Sequence, residues 1–445
     1  MHPLGETEAV DTANGPETFP ESNRPSQAVR LLAQRPAACR PHPSTKDGRR
    51  AAPSTGGSGI YFSSAQWSAD GTSILAHSSD NTVSAFILPA DLLQPEQPES
   101  RSLDPQSTVG LPEPTQALAA APFFSLADPS TQTFLVGCRD HPIHLYHAFP
   151  QDGHTTPLCG YKLIRKETEQ YITPSSLLWQ HPGHHFVCGS ANRLDLFDVS
   201  QYGSDGPILT VPTIPSRRHI SKGSGVGLKG TVAALSASPQ DADGGAIIAA
   251  GTWTRWVGLY DLHRTDKVVA QWGIAGVDEA HFHTNLSGQG IVQLLWSPCG
   301  RYLVVNERHS AGLLVYDIRG TGQALTVLNG RYTTNQQRLS CDVFQSGTEN
   351  PGFEVWAGTE DGRVLVWDEV GFHVGLDEPA WHWSAHDSPI GSAFVHPSGS
   401  VAATCSGGWR HPSDLDTGNV DVSASVGIET LEESSLKIWS IGADS

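Results

Sequence analysis

Short apolar stretches with alternating polar residues recur along the chain from about residue 59 onward. Seven of them share one pattern: an apolar residue, any residue, a second apolar residue and an aromatic. They are VSAF (83–86), IHLY (143–146), LDLF (194–197), VGLY (257–260), LLVY (313–316), VLVW (364–367) and LKIW (436–439). A period of two places alternate side chains on one face of the backbone, which predicts β-strands.

A strand-like stretch and a turn signal precede most of these patterns. The clearest turns are WSADG (67–71), WQHPG (179–183), WSPCG (296–300) and VHPSG (395–399). The aromatic positions are separated by 60, 51, 63, 56, 51 and 72 residues, so one unit recurs with loops of different length. Repeats with several strands and a Trp-Asp-like ending, as in Tyr316-Asp317 and Trp367-Asp368, are typical of propeller blades. We predict an all-β fold, a seven-bladed WD-repeat β-propeller over residues 59–440.

The two ends of the repeat region raise separate questions. Residues 1–58 are rich in Pro, Ser, Gly and Thr, which predicts a mostly disordered N-terminal extension. The chain stops soon after Trp439, so the last blade needs a fourth strand from elsewhere or has only three. Residues 28–34, AVRLLAQ, are the candidate closing strand. Residues 411–433 form an acidic insertion within blade seven.

Charge and cysteine content narrow the classes of function. With 28 Lys and Arg against 46 Asp and Glu, the net charge is −18, which repels nucleic acid. Any RNA contact must therefore come from a local basic surface. The 7 cysteines include no CxxC pair, which favours free thiols in a reducing compartment. No apolar run approaches the roughly 20 residues that span a bilayer. We expect an intracellular, monomeric propeller without a membrane partner.

Arginines recur at equivalent turns of the predicted blades. In a WD blade, strands a to d run outward from the central channel, and the b–c turns open on the same face as the d–a loops. An arginine falls at or beside the b–c turn in blades two to seven, at Arg139, Arg193, Arg255, Arg308, Arg363 and Arg410. Guanidinium groups suit a phosphate backbone because they are planar, bidentate donors. The structural alternative is that each arginine forms an ion pair with a neighbouring blade.

A polar string, RYTTNQQR at 331–338, lies between the predicted blades five and six on the same face. It adds Arg331, Asn335, Gln336 and Arg338 to the candidate RNA-binding residues. Asn and Gln pair with base edges, and aromatic residues such as Trp253 supply stacking platforms. The alternative is that Thr and Asn side chains tie off the loop by hydrogen bonds to its own backbone.

The candidate motifs for catalysis and cofactor binding each lack residues that the chemistry requires. KGSGVGLKG (222–230) lacks the Lys-Ser/Thr ending and the following helix of a phosphate-binding loop. The histidines lack Cys and Asp partners at metal-ligand spacing, and no nucleophile elbow is present. We expect no enzyme activity, no cofactor and no metal.

Four longer segments resemble one family. They are WSADGTSILAHSSDNTVSAFILP (67–89), CRDHPIHLYHAF (138–149), GTWTRWVGLYD (251–261) and TTNQQRLSCDVFQSG (333–347). They are similar to the telomerase Cajal-body WD-repeat protein family, whose fungal relatives include a spliceosome-associated WD-repeat protein. The resemblance implies a nuclear RNP factor that binds small nuclear or Cajal-body-type RNA or telomerase RNA. It implies a role in RNP assembly, localisation or pre-mRNA splicing, with RNP and spliceosomal proteins as partners.

A second function remains open beside this one. The arginine-rich face would equally hold acidic peptides of spliceosomal or chaperone partners, which would make the chain a protein-only scaffold. Arginine binds phosphates and carboxylates alike, so the sequence does not separate the two functions.

Overall fold

The computed structural model describes residues 28–37, 59–93, 100–150, 155–165, 167–203, 206–214, 228–345, 352–410, 429–430 and 433–442. Seven sheets of four or five strands form the blades, and the four main strands of each, which are antiparallel, are lettered a to d from the channel outward. The seven-bladed propeller is therefore confirmed.

The first six blades each take their four antiparallel strands from one continuous stretch of chain. Blade one comprises Phe62–Trp67, Ser73–Ser78, Thr82–Ile87 and Ser107–Gly110. Blade two comprises Thr115–Ala120, Thr133–Cys138, Ile143–His147 and Cys159–Tyr161. Blade three comprises Ser176–Trp179, His185–Ser190, Arg193–Asp198 and Leu209–Pro212. Blade four comprises Val232–Ala237, Ile248–Thr252, Trp256–Tyr260 and Val268–Gly273. Blade five comprises Ile291–Trp296, Tyr302–Glu307, Leu313–Asp317 and Ala324–Leu328. Blade six comprises Cys341–Phe344, Phe353–Gly358, Arg363–Val370 and Trp381–Ser384.

The core lies between the blades. The b strands Thr133–Cys138 and Val401–Ser406 are buried at every position, because both faces of each sheet pack against neighbouring blades. The outer strand Val268–Gly273 alternates less and exposes both of its first two residues. Burial thus decreases from the second and third strands outward, so the outer strands on the rim are exposed, as are many loop residues on the two flat faces.

Blade seven combines the two ends of the chain. Its strands are Ile390–Val395, Val401–Ser406, Ser435–Gly442 and, outermost, Ala28–Pro36. The outermost strand pairs antiparallel with Ser435–Gly442, from Ala28 opposite Gly442 to Pro36 opposite Ser435. Leu32 and Ala33 are buried in the core of this blade. The rest of the predicted N-terminal extension, residues 1–27 and 38–58, lies outside the described residues.

A hydrogen-bond chain links blade seven internally. The indole of Trp439 donates to the Thr404 hydroxyl at 2.8 Å, and His386 Nε2 lies 2.7 Å from the same hydroxyl. His386 Nδ1 lies 3.1 Å from Glu433, which ends the acidic insertion between the b and c strands. Of that insertion, only residues 429–430, paired with Trp409–Arg410, and Glu433 are described.

Several elements were not predicted from the sequence. A helix spans Val277–Phe282 in the loop between blades four and five, and short 3₁₀ turns occupy Pro129–Thr131 and Ile318–Gly320. Two short strands, Arg101–Ser102 and Gly375–Asp377, add parallel fifth strands to blades seven and five. Among the described residues, no helix has the length and apolar composition needed to cross a bilayer.

The described cysteines are free thiols, four of them buried: Cys138, Cys188, Cys341 and Cys405. Burial raises the pKa of the Cys405 thiol to about 12 and that of Cys138 to about 11. They therefore behave as small apolar core residues.

Candidate nucleic-acid interface

The inner strands of all seven blades surround a central channel of about 780 Å³. We call the face where the b–c turns and d–a loops emerge the b–c face. The two kinds of loop contact each other there: the Asn192 amide, in the b–c turn of blade three, donates to the Gly230 carbonyl in the loop entering blade four. This face carries the candidate RNA-binding residues.

The polar string holds itself to blades five and six through its threonine side chains and backbone. The Thr333 hydroxyl donates to the Ser310 carbonyl at 2.8 Å and accepts the Ser310 amide at 3.0 Å. One oxygen of Glu360 accepts hydrogen bonds from the Thr334 amide and hydroxyl and from the Asn335 amide, the last at 3.2 Å. The conformation of the string is therefore fixed by the b–c turns of both blades.

Asn335 acts inside this loop. Its Oδ1 accepts the Gln337 amide at 3.1 Å, and its Nδ2 donates to Gln337 Oε1 at 3.3 Å. The side-chain Nε2 of Gln337 in turn donates to the Gly407 carbonyl of blade seven at 3.1 Å. The side chain predicted to contact a base is thus engaged in positioning its neighbour.

Arg338 reaches across the channel mouth. Its Nη2 donates to the Ala233 carbonyl of blade four at 3.1 Å and lies 3.5 Å from the Ser175 carbonyl of blade three. Burial, and then the positive charge of Arg308, lower the pKa of Arg338. The end of the polar string therefore spans the channel and brings two guanidinium groups close together.

Arg331 lies inside the protein. Its side chain is fully buried, and it donates to the Gly358 and Leu339 carbonyls at 2.9 and 2.6 Å and to Asn306 Oδ1 at 2.7 Å. Burial lowers its pKa. Its expected place on an RNA-binding surface is corrected, because all three donor nitrogens point at protein acceptors and no phosphate can reach them.

Three of the turn arginines form ion pairs beside their own turns or with the next blade. Arg193 Nε donates to the fully buried Asp195 at 2.7 Å, and Arg363 Nε donates to Asp361 at 2.7 Å. Arg255 binds Glu307 of blade five through two hydrogen bonds of 2.7 and 2.8 Å. The structural alternative from the sequence analysis therefore describes these three positions.

Arg139 differs because it is exposed. Its side chain is 70% exposed and lies 3.3 Å from Asp140, itself 71% exposed, so the pair is screened by water. It remains accessible to a ligand. Arg410 belongs to the short strand Trp409–Arg410, and its side chain is not among those that the structure describes.

Arg308 packs against an aromatic ring instead of a carboxylate. Its guanidinium lies 5.9 Å from the centre of the Trp253 ring, which is 51% exposed. Among the described residues, no carboxylate forms an ion pair with Arg308, and burial lowers its pKa. A cation against an exposed indole offers both a phosphate contact and a stacking surface.

Backbone contacts hold this pair in place. The Arg308 amide donates to the Gly290 carbonyl, and the Gln289 amide donates to the Arg308 carbonyl, both at 2.9 Å. Gly290 has a φ of 117°, and a Cβ there would lie 2.7 Å from the Trp253 carbonyl oxygen, so only glycine lets the two turns meet.

Gln336 extends the surface toward blade six. It is exposed, and its Nε2 lies 3.3 Å from Gln289 Oε1. We call Trp253, Gln289, Arg308 and Gln336 the Trp–Arg patch. The patch joins the turns of blades four and five to the polar string.

Sequence reasoning found part of this surface. It singled out Arg308, Gln336 and the neighbouring Trp253, but missed Gln289 and the exposed Tyr332. Gln289 lies in SGQG, which reads as an ordinary loop, and only the contact with Gln336 distinguishes it. The described residues contain no group of three His, Cys, Asp or Glu side chains that could hold a metal ion.

Comparison with known proteins gives distant but extended matches. No family model matches the chain. It is 26% identical to Telomerase Cajal body protein 1 of Bos taurus over 363 residues. The match covers 81% of this chain and 60% of the relative. It is 25% identical over 390 residues to the Homo sapiens protein of the same name, 86% of this chain and 64% of the relative.

A yeast relative matches at the same level. The Guanine nucleotide-binding protein negative regulator 1 of Schizosaccharomyces pombe is 26% identical over 309 residues, 69% of this chain and 70% of that protein. The matches to the two mammalian proteins span less than two thirds of their length. The resemblance to the telomerase Cajal-body family is confirmed.

Proposed function

We propose that this chain, similar over most of its length to the telomerase Cajal body proteins, is a non-enzymatic WD-repeat RNP factor that binds RNA on its b–c face. The RNA class we propose is small nuclear or Cajal-body-type RNA, or telomerase RNA. The observation that carries the proposal is the Trp–Arg patch, where Arg308 lies against an exposed indole without a carboxylate partner among the described residues. Unpaired bases stack on such rings, and phosphates bind such cations.

The residues of the b–c face divide into two groups. Arg308 and the exposed Arg139 bind phosphates, Trp253 stacks against a base, and Gln336 contacts a base edge. Arg338 adds positive charge at the channel mouth. The other group holds the surface in shape through internal bonds: Arg193, Arg255, Arg331 and Asn335.

The cellular role that we propose rests on the relatives, which are named Telomerase Cajal body protein 1. A propeller that holds an RNA on one face leaves its rim and opposite face for RNP proteins. We place the protein in the nucleus, in RNP assembly, localisation or pre-mRNA splicing, with RNP proteins and spliceosomal proteins as partners.

A protein-only scaffold is the second candidate. The observation that favours it is that three turn arginines are already neutralised by carboxylates, in a chain with a net charge of −18. In that case the Trp–Arg patch binds an acidic peptide that carries an aromatic or apolar side chain.

Ultraviolet crosslinking of the full-length protein in cells, followed by sequencing of the attached RNA, separates the two functions. We expect enrichment of small nuclear or telomerase RNA, and loss of that enrichment in the Arg308→Gln variant. Background RNA with both proteins, together with acidic partners that depend on Arg308, would support the scaffold instead.

A further inference from the structure

The c–d connection of blade six leaves its own sheet and joins blade five. Gly375–Asp377 pairs in parallel with the outer strand of blade five, from Thr326 opposite Gly375 to Leu328 opposite Asp377. In the described part of the chain, this fifth strand ends the sheet. Blade five therefore ends in a short edge strand on the rim of the propeller.

The direction of one hydrogen bond defines the open side of this strand. The Asp377 carbonyl accepts the Asn329 amide at 2.8 Å, so the peptide groups of Asp377 point toward blade five. Backbone groups alternate in direction along a strand. The amides and carbonyls of Val374 and Leu376 therefore point away from blade five, toward the open edge.

Apolar side chains accompany the open edge. Phe372 is 54% exposed, Val374 is 78% exposed and Leu376 is 52% exposed. Val374 and Leu376 are two residues apart at the strand and so lie on one face of it, and Phe372 precedes them in the turn that leads into the strand. Exposed apolar residues in such a row indicate an interaction site more strongly than scattered ones do.

Carboxylates flank the row on both sides. Glu369 and Glu378 are exposed, and Asp377 is half-buried beside Glu378. Burial raises the pKa of Asp377, whose Oδ2 has no hydrogen-bond donor among the described residues. The nearest basic group in this segment is His373, 3.8 Å from Asp377. The local field therefore selects a positively charged occupant.

We propose that this edge binds an extended basic segment of a partner protein, which adds a sixth strand to blade five. The backbone of the segment pairs with the peptide groups of Val374 and Leu376. Its apolar side chains cover the exposed row, and its lysines or arginines meet the flanking carboxylates. The site lies on the blade rim and is separate from the RNA-binding surface proposed above.

The test uses the full-length protein and two synthetic peptides of equal length, one alternating valine with lysine and the other valine with glutamate. Calorimetry should show binding of the lysine peptide and at least tenfold weaker binding of the glutamate peptide. The double variant Val374→Lys/Leu376→Lys should bind the lysine peptide at least tenfold more weakly than the wild type does. Its thermal unfolding should stay the same as that of the wild type.

A matched control lies on blade four. Val268 and Val269 are also exposed apolar residues on an outer strand, so Val268→Lys/Val269→Lys makes the same change elsewhere. This control should bind the lysine peptide as the wild type does. Equal losses in both variants, equal binding of both peptides, or self-association that only the 374/376 variant abolishes would each overturn the proposal.

Discussion

Arg255 of blade four and Glu307 of blade five form a two-hydrogen-bond ion pair across the boundary between their blades, at 2.7 and 2.8 Å. Their side chains are 21% and 3% exposed, so little water reaches the pair. Glu307 also accepts the Gly290 amide at 3.3 Å, beside the Trp–Arg patch. The pair therefore ties the two blades together where the proposed RNA-binding surface begins.

Replacing Arg255 by Gln should destabilise the protein strongly. The variant leaves the carboxylate of Glu307 buried without its cation, and breaking a buried pair in this way costs about 3–5 kcal/mol. Urea unfolding measures the loss. Arg139→Gln removes the same charge at an exposed turn and should cost less than about 1 kcal/mol. Equal stabilities of the two variants would contradict the structural role of Arg255.

Asn335 and its neighbour Gln336 should behave differently on substitution. Asn335→Ala removes two hydrogen bonds to Gln337 and should lower stability by about 1–2 kcal/mol. Gln336→Ala removes only a contact between exposed amides and should leave stability unchanged while weakening RNA binding by about 1–3 kcal/mol. Thermal unfolding and RNA binding, measured on both variants, test the division. A larger stability loss in Gln336→Ala would reverse it.

The fold was predictable because its signal repeats. VSAF, LLVY, VLVW and the other patterns each mark a c strand, and period-two alternation identifies a strand without any knowledge of its partners. The parallel fifth strand Gly375–Asp377 carries no such signal, because three residues show no periodicity and its partner lies in another blade.

The site was predictable only in part. The sequence places an arginine at or beside the b–c turn of blades two to seven, but the role of each arginine depends on which carboxylate lies opposite. Glu307 is 52 residues away from Arg255 in the chain. Arg331 and Arg338 belong to one short string, yet one is fully buried and the other spans the channel mouth. Contacts between distant residues decide such cases, and no local pattern encodes them.

The strand Ala28–Pro36 should be needed for a stable ring. Deleting residues 1–27 removes none of its pairing and should leave the melting temperature unchanged. Deleting residues 1–37 removes the whole strand, exposes the edge of Ser435–Gly442 and should lower the melting temperature by more than about 5 °C. Scanning calorimetry of both truncations measures this, and identical melting would show that the strand adds nothing to closure.

Asp342 should make stability depend on pH. Its carboxylate accepts the Val343 and Val395 amides at 2.9 Å, yet burial raises its pKa to about 6. The folded protein therefore binds a proton that the unfolded chain has already released between pH 4 and 6. The stability that this proton contributes is present below pH 4 and is lost as the pH rises through 6.

The comparison is between the wild type and Asp342→Asn, which cannot titrate at this position. Between pH 4 and 7, the free energy of unfolding of the wild type should fall by about 1–3 kcal/mol relative to that of the variant. Urea unfolding across this range gives the difference. A difference that stays constant with pH would show that Asp342 is ionised throughout.

The salt dependence of RNA binding tests the central claim most directly. For the full-length protein and a small nuclear RNA, the logarithm of the binding constant should fall linearly with the logarithm of the salt concentration. Arg308→Gln should reduce that slope by about 0.7, the value of one phosphate contact on single-stranded RNA. Arg319→Gln removes an exposed arginine on the opposite face and should leave the slope unchanged. Equal slopes and affinities for the wild type and Arg308→Gln would contradict an RNA-binding role for the Trp–Arg patch.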